Sequence, residues 1–133
     1  MKIKTSEQSD LTLDLAVAKC KGITGLVLRG TYLHYPPGQF SDEEAYSPST
    51  DWELGGPIVD MLIEEGWTFA KADFNLGIKC FRFVEGDIQY QYGATILIAA
   101  MRSFVFGRLG NEVEFPEAIC HTKSTQRVHV RPF

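Results

Sequence analysis

Residues 95–109 constrain the fold more than any other part of the chain. Across this segment Ile96, Leu97, Ile98, Ala99, Ala100, Met101, Phe104, Val105 and Phe106 are apolar nearly all the way round a helix. A surface helix shows one apolar stripe. A helix without a polar side is covered on most faces, by its own chain or by another subunit. Gly110 supplies its stop. The rest of the protein has to be read as what wraps this helix.

The residues before it predict a three-strand antiparallel meander. Residues 67–73 alternate, with Trp67, Phe69 and Lys71 on one side. Asn75-Leu76-Gly77 marks a turn, residues 78–84 a strand, Glu85-Gly86-Asp87 a second turn and residues 88–92 a third strand. Both faces of 78–84 are apolar apart from Lys79 and Arg82, which predicts that both faces are covered. Phe69, Phe81, Phe83, Tyr90 and Tyr92 read as core and cross-strand pairs.

Towards the N-terminus, Ser9 or Asp10 can cap a helix over 11–21, with Leu11, Leu15 and Ala18 on one face and Gly22 as a stop. Residues 2–4 are a candidate strand and 23–29 a firmer one. Residues 30–50 read as a long loop with an extended piece at 31–35 and an acidic patch at Asp42, Glu43 and Glu44. A further helix ends at Gly66, with Ile58, Met61 and Leu62 on its inner face. It starts either at an Asp51 cap or with Pro57 in the first helical position. The expected fold is α+β: a small antiparallel sheet, the meander plus one or two extra strands, packed with three helices. Residues 1–120 make one domain. Residues 121–133, with Lys123, Arg127 and Arg131 and no acid, form a basic segment that is either an edge strand or a mobile tail.

A length of 133 residues suits one domain, and 44% apolar residues suit a globular one. At this size a core buries roughly two-thirds of the unfolded surface without a metal or disulfide staple. A net charge of −4 argues against broad nucleic-acid or anionic-membrane binding. With no apolar run long enough to span a bilayer and no signal-peptide core at the start, a cytoplasmic protein is expected. Cys20, Cys80 and Cys120 lack zinc-site spacing and read as buried or half-buried free thiols, so no metal or cofactor is expected.

Residues 46–57 combine two aromatics, three serine and threonine hydroxyls, two carboxylates, two prolines and two glycines. Two readings stand. In one, Ser49, Thr50 or Asp51 caps a helix, Trp52 plugs the core, and Gly55 and Gly56 allow a tight reversal before Pro57. In the other, the helix N-terminus receives an anion, the hydroxyls of Ser47, Ser49 and Thr50 bind ligand oxygens, and Tyr46 or Trp52 stacks on a planar ring. Phosphate plus base matches both halves. Arg102, alone on the apolar helix, forms an ion pair with Asp51 or Asp60, reaches the surface, or forks a ligand phosphate. No catalytic residue is assigned. His34, His121 and His129 lack a partner motif, and no Walker loop, nucleophile elbow or dinucleotide fingerprint occurs.

The string Tyr-Ser-Pro-Ser-Thr-Asp-Trp-x-x-Gly-Gly-Pro-Ile at 46–58 resembles the signature of the phage NinX-like family. Residues 97–102, followed by Gly110-Asn111-Glu112-Val113, are a second match, and Leu13-Asp14-x-x-Val17-Ala18-Lys19 a third. The pattern also resembles a phage α–β–α sandwich domain. The stretch 68–88 and the tail after His121 depart from it. The resemblance implies a small phage or prophage accessory protein in the infected bacterial cell and supplies no activity. The resulting expectation is a non-catalytic, homo-oligomeric protein that sequesters a small nucleotide-like ligand as a counter-defence sponge. Its ligand would be held by Tyr46, Ser47, Ser49, Thr50, Asp51, Trp52, Gly55, Gly56 and Arg102. A module that inhibits or redirects a host protein is the alternative, and a nucleotide hydrolase a third reading.

Overall fold

The computed structural model describes residues 1–29, 32–35, 45–116 and 127–129. The all-round apolar segment forms helix α3 (Ile96–Leu109), capped by Thr95, whose Oγ1 accepts from the Ile98 N–H at 3.2 Å. Leu97, Ala99, Ala100, Met101, Phe104 and Val105 are buried. Their cover comes from this chain: α3 packs on α1 (Asp10–Lys21), α2 (Trp52–Glu64) and the strands β6 (Ile78–Val84) and β7 (Asp87–Gly93).

Helix α1 stops at Gly22, which takes a left-handed conformation. Helix α2 starts at the Asp51 cap, and Pro57 falls in its second turn rather than at its first position. The inner face of α2 carries Ile58, Val59 and Leu62. Met61, expected beside them, is exposed.

The meander forms as read, with β5 (Thr68–Lys71), β6 and β7 in antiparallel order. Glu85 and Gly86 both have positive φ, the two-residue hairpin geometry that suits strand twist. The remaining strands do not extend this sheet. Strand β1 (Lys2–Lys4) pairs with β8 (Glu112–Glu114). A four-stranded sheet has the order β4 (Ala45–Tyr46), β3 (Tyr32–His34), β2 (Val27–Arg29), β9 (Arg127–His129). The fold is therefore α+β with three small antiparallel sheets among the described residues, where a single sheet was expected; the meander and β8 pack on α3, and the four-stranded sheet meets α1 through β3. Short strands far apart in sequence carry no periodicity that says which neighbour they join.

Helix α3 covers one face of the meander. Phe81, Phe83, Ile88, Tyr90 and Tyr92 alternate onto the other, following the register Phe81↔Tyr90 and Phe83↔Ile88. Among the described residues that face is open, with Phe83 70% exposed. Of the expected cover, by helices or by a partner chain, α3 accounts for one face among the described residues. Lys79 sits over the Phe81 and Tyr90 rings at 5.4 and 5.2 Å.

Candidate functional site

Helices α2 and α3 run side by side in the same direction. At their first turns, Gly55 lies against Leu97, close enough that an added Cβ would come within 2.7 Å of the leucine Cδ2 and overlap the Pro48 carbonyl oxygen. At the far ends, Arg108 of α3 donates to Glu65 Oε2 at 2.9 Å, just past the end of α2. Parallel helices add their macrodipoles, so both positive ends meet at one place and Arg108 balances the negative ends.

Where the positive ends meet lies a cleft of ≈ 240 Å³ walled by Ser49, Thr50, Trp52, Thr95, Leu97 and Ile98. Asp51 Oδ1 accepts from the Glu53 N–H at 2.9 Å, and Thr95 caps α3 in the same way. Trp52, the first residue of α2, is 55% exposed, with its ring edge over Gly56. It is therefore not a core plug. The cleft offers helix-terminal dipoles, hydroxyls and an accessible indole, a combination suited to an anion joined to a planar ring.

Behind the cleft lies a buried polar cluster. Asp14, on α1 and only 6% exposed, accepts from the Ser49 N–H at 2.9 Å through Oδ1. Burial drives its pKa up to about 7, against the pull of Ser49, which faces the carboxyl with both its backbone and its side chain. A carboxyl at that value can exchange a proton near neutral pH. The neighbouring Ser49 Oγ is fully buried and makes no hydrogen bond of good geometry, so a substrate in the cleft does not reach it as a nucleophile. Tyr46 is 3% exposed and sits edge-on to Tyr35 with ring centroids 5.7 Å apart. Its hydroxyl is unpartnered, and burial raises its pKa. The Tyr46 ring belongs to the core, which leaves Trp52 as the aromatic of this segment open to a ligand.

The other candidates fall as follows. Ser47 is half-buried and its carbonyl accepts from the Thr50 and Asp51 N–H groups, closing the turn that leads into α2. Gly55 is a packing position and Gly56 a half-buried one. Arg102 pairs with neither Asp51 nor Asp60. Its Nε donates to the Gln8 carbonyl at 2.9 Å and its Nη1 to the Tyr92 carbonyl at 2.8 Å. It is not among the cleft walls. His34 is half-buried, and its Nδ1 has no hydrogen-bond partner. Cys80 is buried and Cys20 half-buried, both free, with burial pushing both thiols up to about 11. Cys120, His121, the acidic patch at 42–44 and the side chain of His129 lie outside the described residues. Among the described residues no cluster of His, Cys, Asp or Glu could hold a metal ion, and no helix is long and apolar enough to cross a membrane.

Thr95 and Asp14 were missed as site residues. Thr95 carried a signal, a hydroxyl placed before the apolar run. Asp14 did too, as a lone acid within Leu13-Asp14-Leu15-Ala16-Val17. The model of the family described as Bacteriophage P22, NinX matches residues 4–108, which takes in both helix starts and the Asp14 cluster. No curated protein matches the chain.

Proposed function

The chain belongs to the bacteriophage P22 NinX family, and from that premise we propose that it binds and sequesters a small nucleotide-like ligand without transforming it. As a phage accessory protein, it would act by holding a host signalling nucleotide out of reach, a counter-defence role. One observation carries this reading: α2 and α3 begin together at the cleft that has Trp52 on its rim. The phosphate would lie across the helix starts, near Thr50 and Thr95. The base would extend onto the exposed indole, since ≈ 240 Å³ holds only part of a nucleotide. Arg102 is left out of this site because two of its N–H groups already serve backbone carbonyls.

Isothermal titration against a panel of cyclic nucleotides and ADP-ribose derivatives tests the proposal. The expected result is saturable binding of at least one member, recovered unchanged afterwards, and lost in Trp52→Ala while the variant stays folded. Absence of heat for the whole panel with folded protein sinks it. Conversion of the bound nucleotide would replace sequestration with catalysis.

A further inference from the structure

Strand β7 is an edge strand among the described residues. Its hairpin closes at the pair Val84↔Asp87 around two turn residues, so Asp87, Gln89, Gln91 and Gly93 direct their N–H and C=O groups at β6. Ile88, Tyr90 and Tyr92 direct theirs outward. Arg102 corroborates this register, because its Nη1 reaches the outward Tyr92 carbonyl at 2.8 Å. Among the described residues, the backbone groups of Ile88 and Tyr90 and the N–H of Tyr92 form an open ladder. Such a row of unpaired groups is a ready template for pairing with another chain.

Two adjoining clefts, of ≈ 340 and ≈ 290 Å³, run beside this edge and share Ser6, Gln91 and Asn111 as walls. Gln91 is 7% exposed, and its Oε1 is buried without a partner. Gln91 is thus a polar side chain of the cleft wall whose hydrogen-bonding capacity the described residues leave unfilled.

We propose that this edge binds an extended peptide segment of a protein partner by strand addition. The segment runs between the β7 edge and the wall formed by Ser6 and Asn111. Side chains of an added strand alternate, which sets the chemistry of the partner. Those on the α3 side enter the cleft beside Gln91, Ser6 and Asn111 and are amides or hydroxyls. Those on the other side continue the open face beside Ile88 and Tyr90 and are apolar or aromatic. Arg102 closes the edge at Tyr92 and the hairpin turn ends it at Gly86. Ile88 through Tyr92 thus gives a ladder of roughly 17 Å. This inference is independent of nucleotide binding at the α2–α3 cleft.

The test is selection of a displayed library of random short peptides against the whole protein, followed by amide hydrogen exchange on wild type with the enriched peptides. Enriched sequences should alternate polar and apolar residues and slow exchange at Ile88, Tyr90 and Tyr92. Tyr90→Pro deletes an N–H that faces away from β6 and so spares the hairpin ladder. It should weaken those peptides by about tenfold, the value of one edge hydrogen bond, whereas Tyr90→Val keeps the N–H and stays within about threefold. Should Tyr90→Pro not fold, the exchange result on wild type decides alone. No enrichment, enriched peptides that leave these amides unprotected, or equal binding to Tyr90→Pro overturns the proposal. A dimer that protects the same amides without peptide overturns it in favour of a second copy of the chain.

Discussion

The carboxyl of Asp14 accepts one backbone N–H and is otherwise held among buried groups, so its charge is poorly solvated. Folding therefore raises its pKa, which sets the sign of its pH dependence. Below about pH 4 both folded and unfolded chains hold the proton, and Asp14 contributes its full stability. As pH rises to about 7, only the unfolded chain has released it, and stability falls by about 1.4 kcal/mol per pH unit from this group. Above that the loss is complete. Asp14→Asn keeps an oxygen for the Ser49 N–H and removes the charge. Urea unfolding of both proteins from pH 5 to 8 should show the variant gaining on wild type up to about pH 7 and then holding level. A pH-independent difference would mean that Asp14 titrates as an ordinary carboxylate. Trp52 gives the opposite case at this scale. Being 55% exposed, it should cost well under the about 3–5 kcal/mol of a buried aromatic when changed to alanine. Thermal unfolding of Trp52→Ala checks this separately from any effect on ligand. Neither environment was legible in the sequence. The Asp14 partner lies 35 residues away, and an aromatic at a helix start is compatible with core or rim.

At the scale of elements, the paired glycines of α2 separate two roles that composition cannot. A methyl group on Gly55 overlaps the Pro48 carbonyl oxygen and meets Leu97, and a backbone carbonyl closed into the preceding turn has little room to move. A methyl on Gly56 meets the Trp52 ring at 3.8 Å, an ordinary contact, and is crowded by the ring of Pro57, which follows it. Gly55→Ala should therefore destabilise by about 1–3 kcal/mol, as overpacked sites do. Gly56→Ala should change stability by less than about 1 kcal/mol, its gain in helix propensity being offset by the crowding of a Cβ before a proline. Denaturant midpoints of the two variants check the contrast, and similar values would remove the close approach that sets the two helix starts together. The elements themselves were legible where signals are local. Asn75 to Gly77 and Glu85-Gly86 marked the meander, Gly22 stopped α1, and Gly110 follows α3. The pairings of β2 with β9 and of β1 with β8 join strands from opposite ends of the chain, and nothing in three-residue strands encodes them.

For the whole molecule, the apolar helix organises the rest, and Arg102 is a half-buried polar point where it is tied down. From α3 it holds the Gln8 carbonyl, at the entry to α1, and the Tyr92 carbonyl on β7. Its guanidinium therefore joins the N-terminal segment, the central helix and the meander. Burial lowers its pKa without altering its charge at neutral pH. Arg102→Ala removes two charge-assisted bonds and leaves two carbonyls to find water, an expected loss of about 2–4 kcal/mol. Arg102→Lys cannot reproduce the fork and should recover at most part of it. The sequence singled out this arginine correctly as unusual, but its partners are main-chain atoms, which no pattern of side chains announces. The two roles open to it separate experimentally. Under conditions where Arg102→Ala remains folded, its affinity for any nucleotide that binds the wild type should be unchanged, while Trp52→Ala loses binding at nearly full stability. An Arg102 variant that keeps its stability and loses the nucleotide would move the phosphate site from the helix starts to the guanidinium.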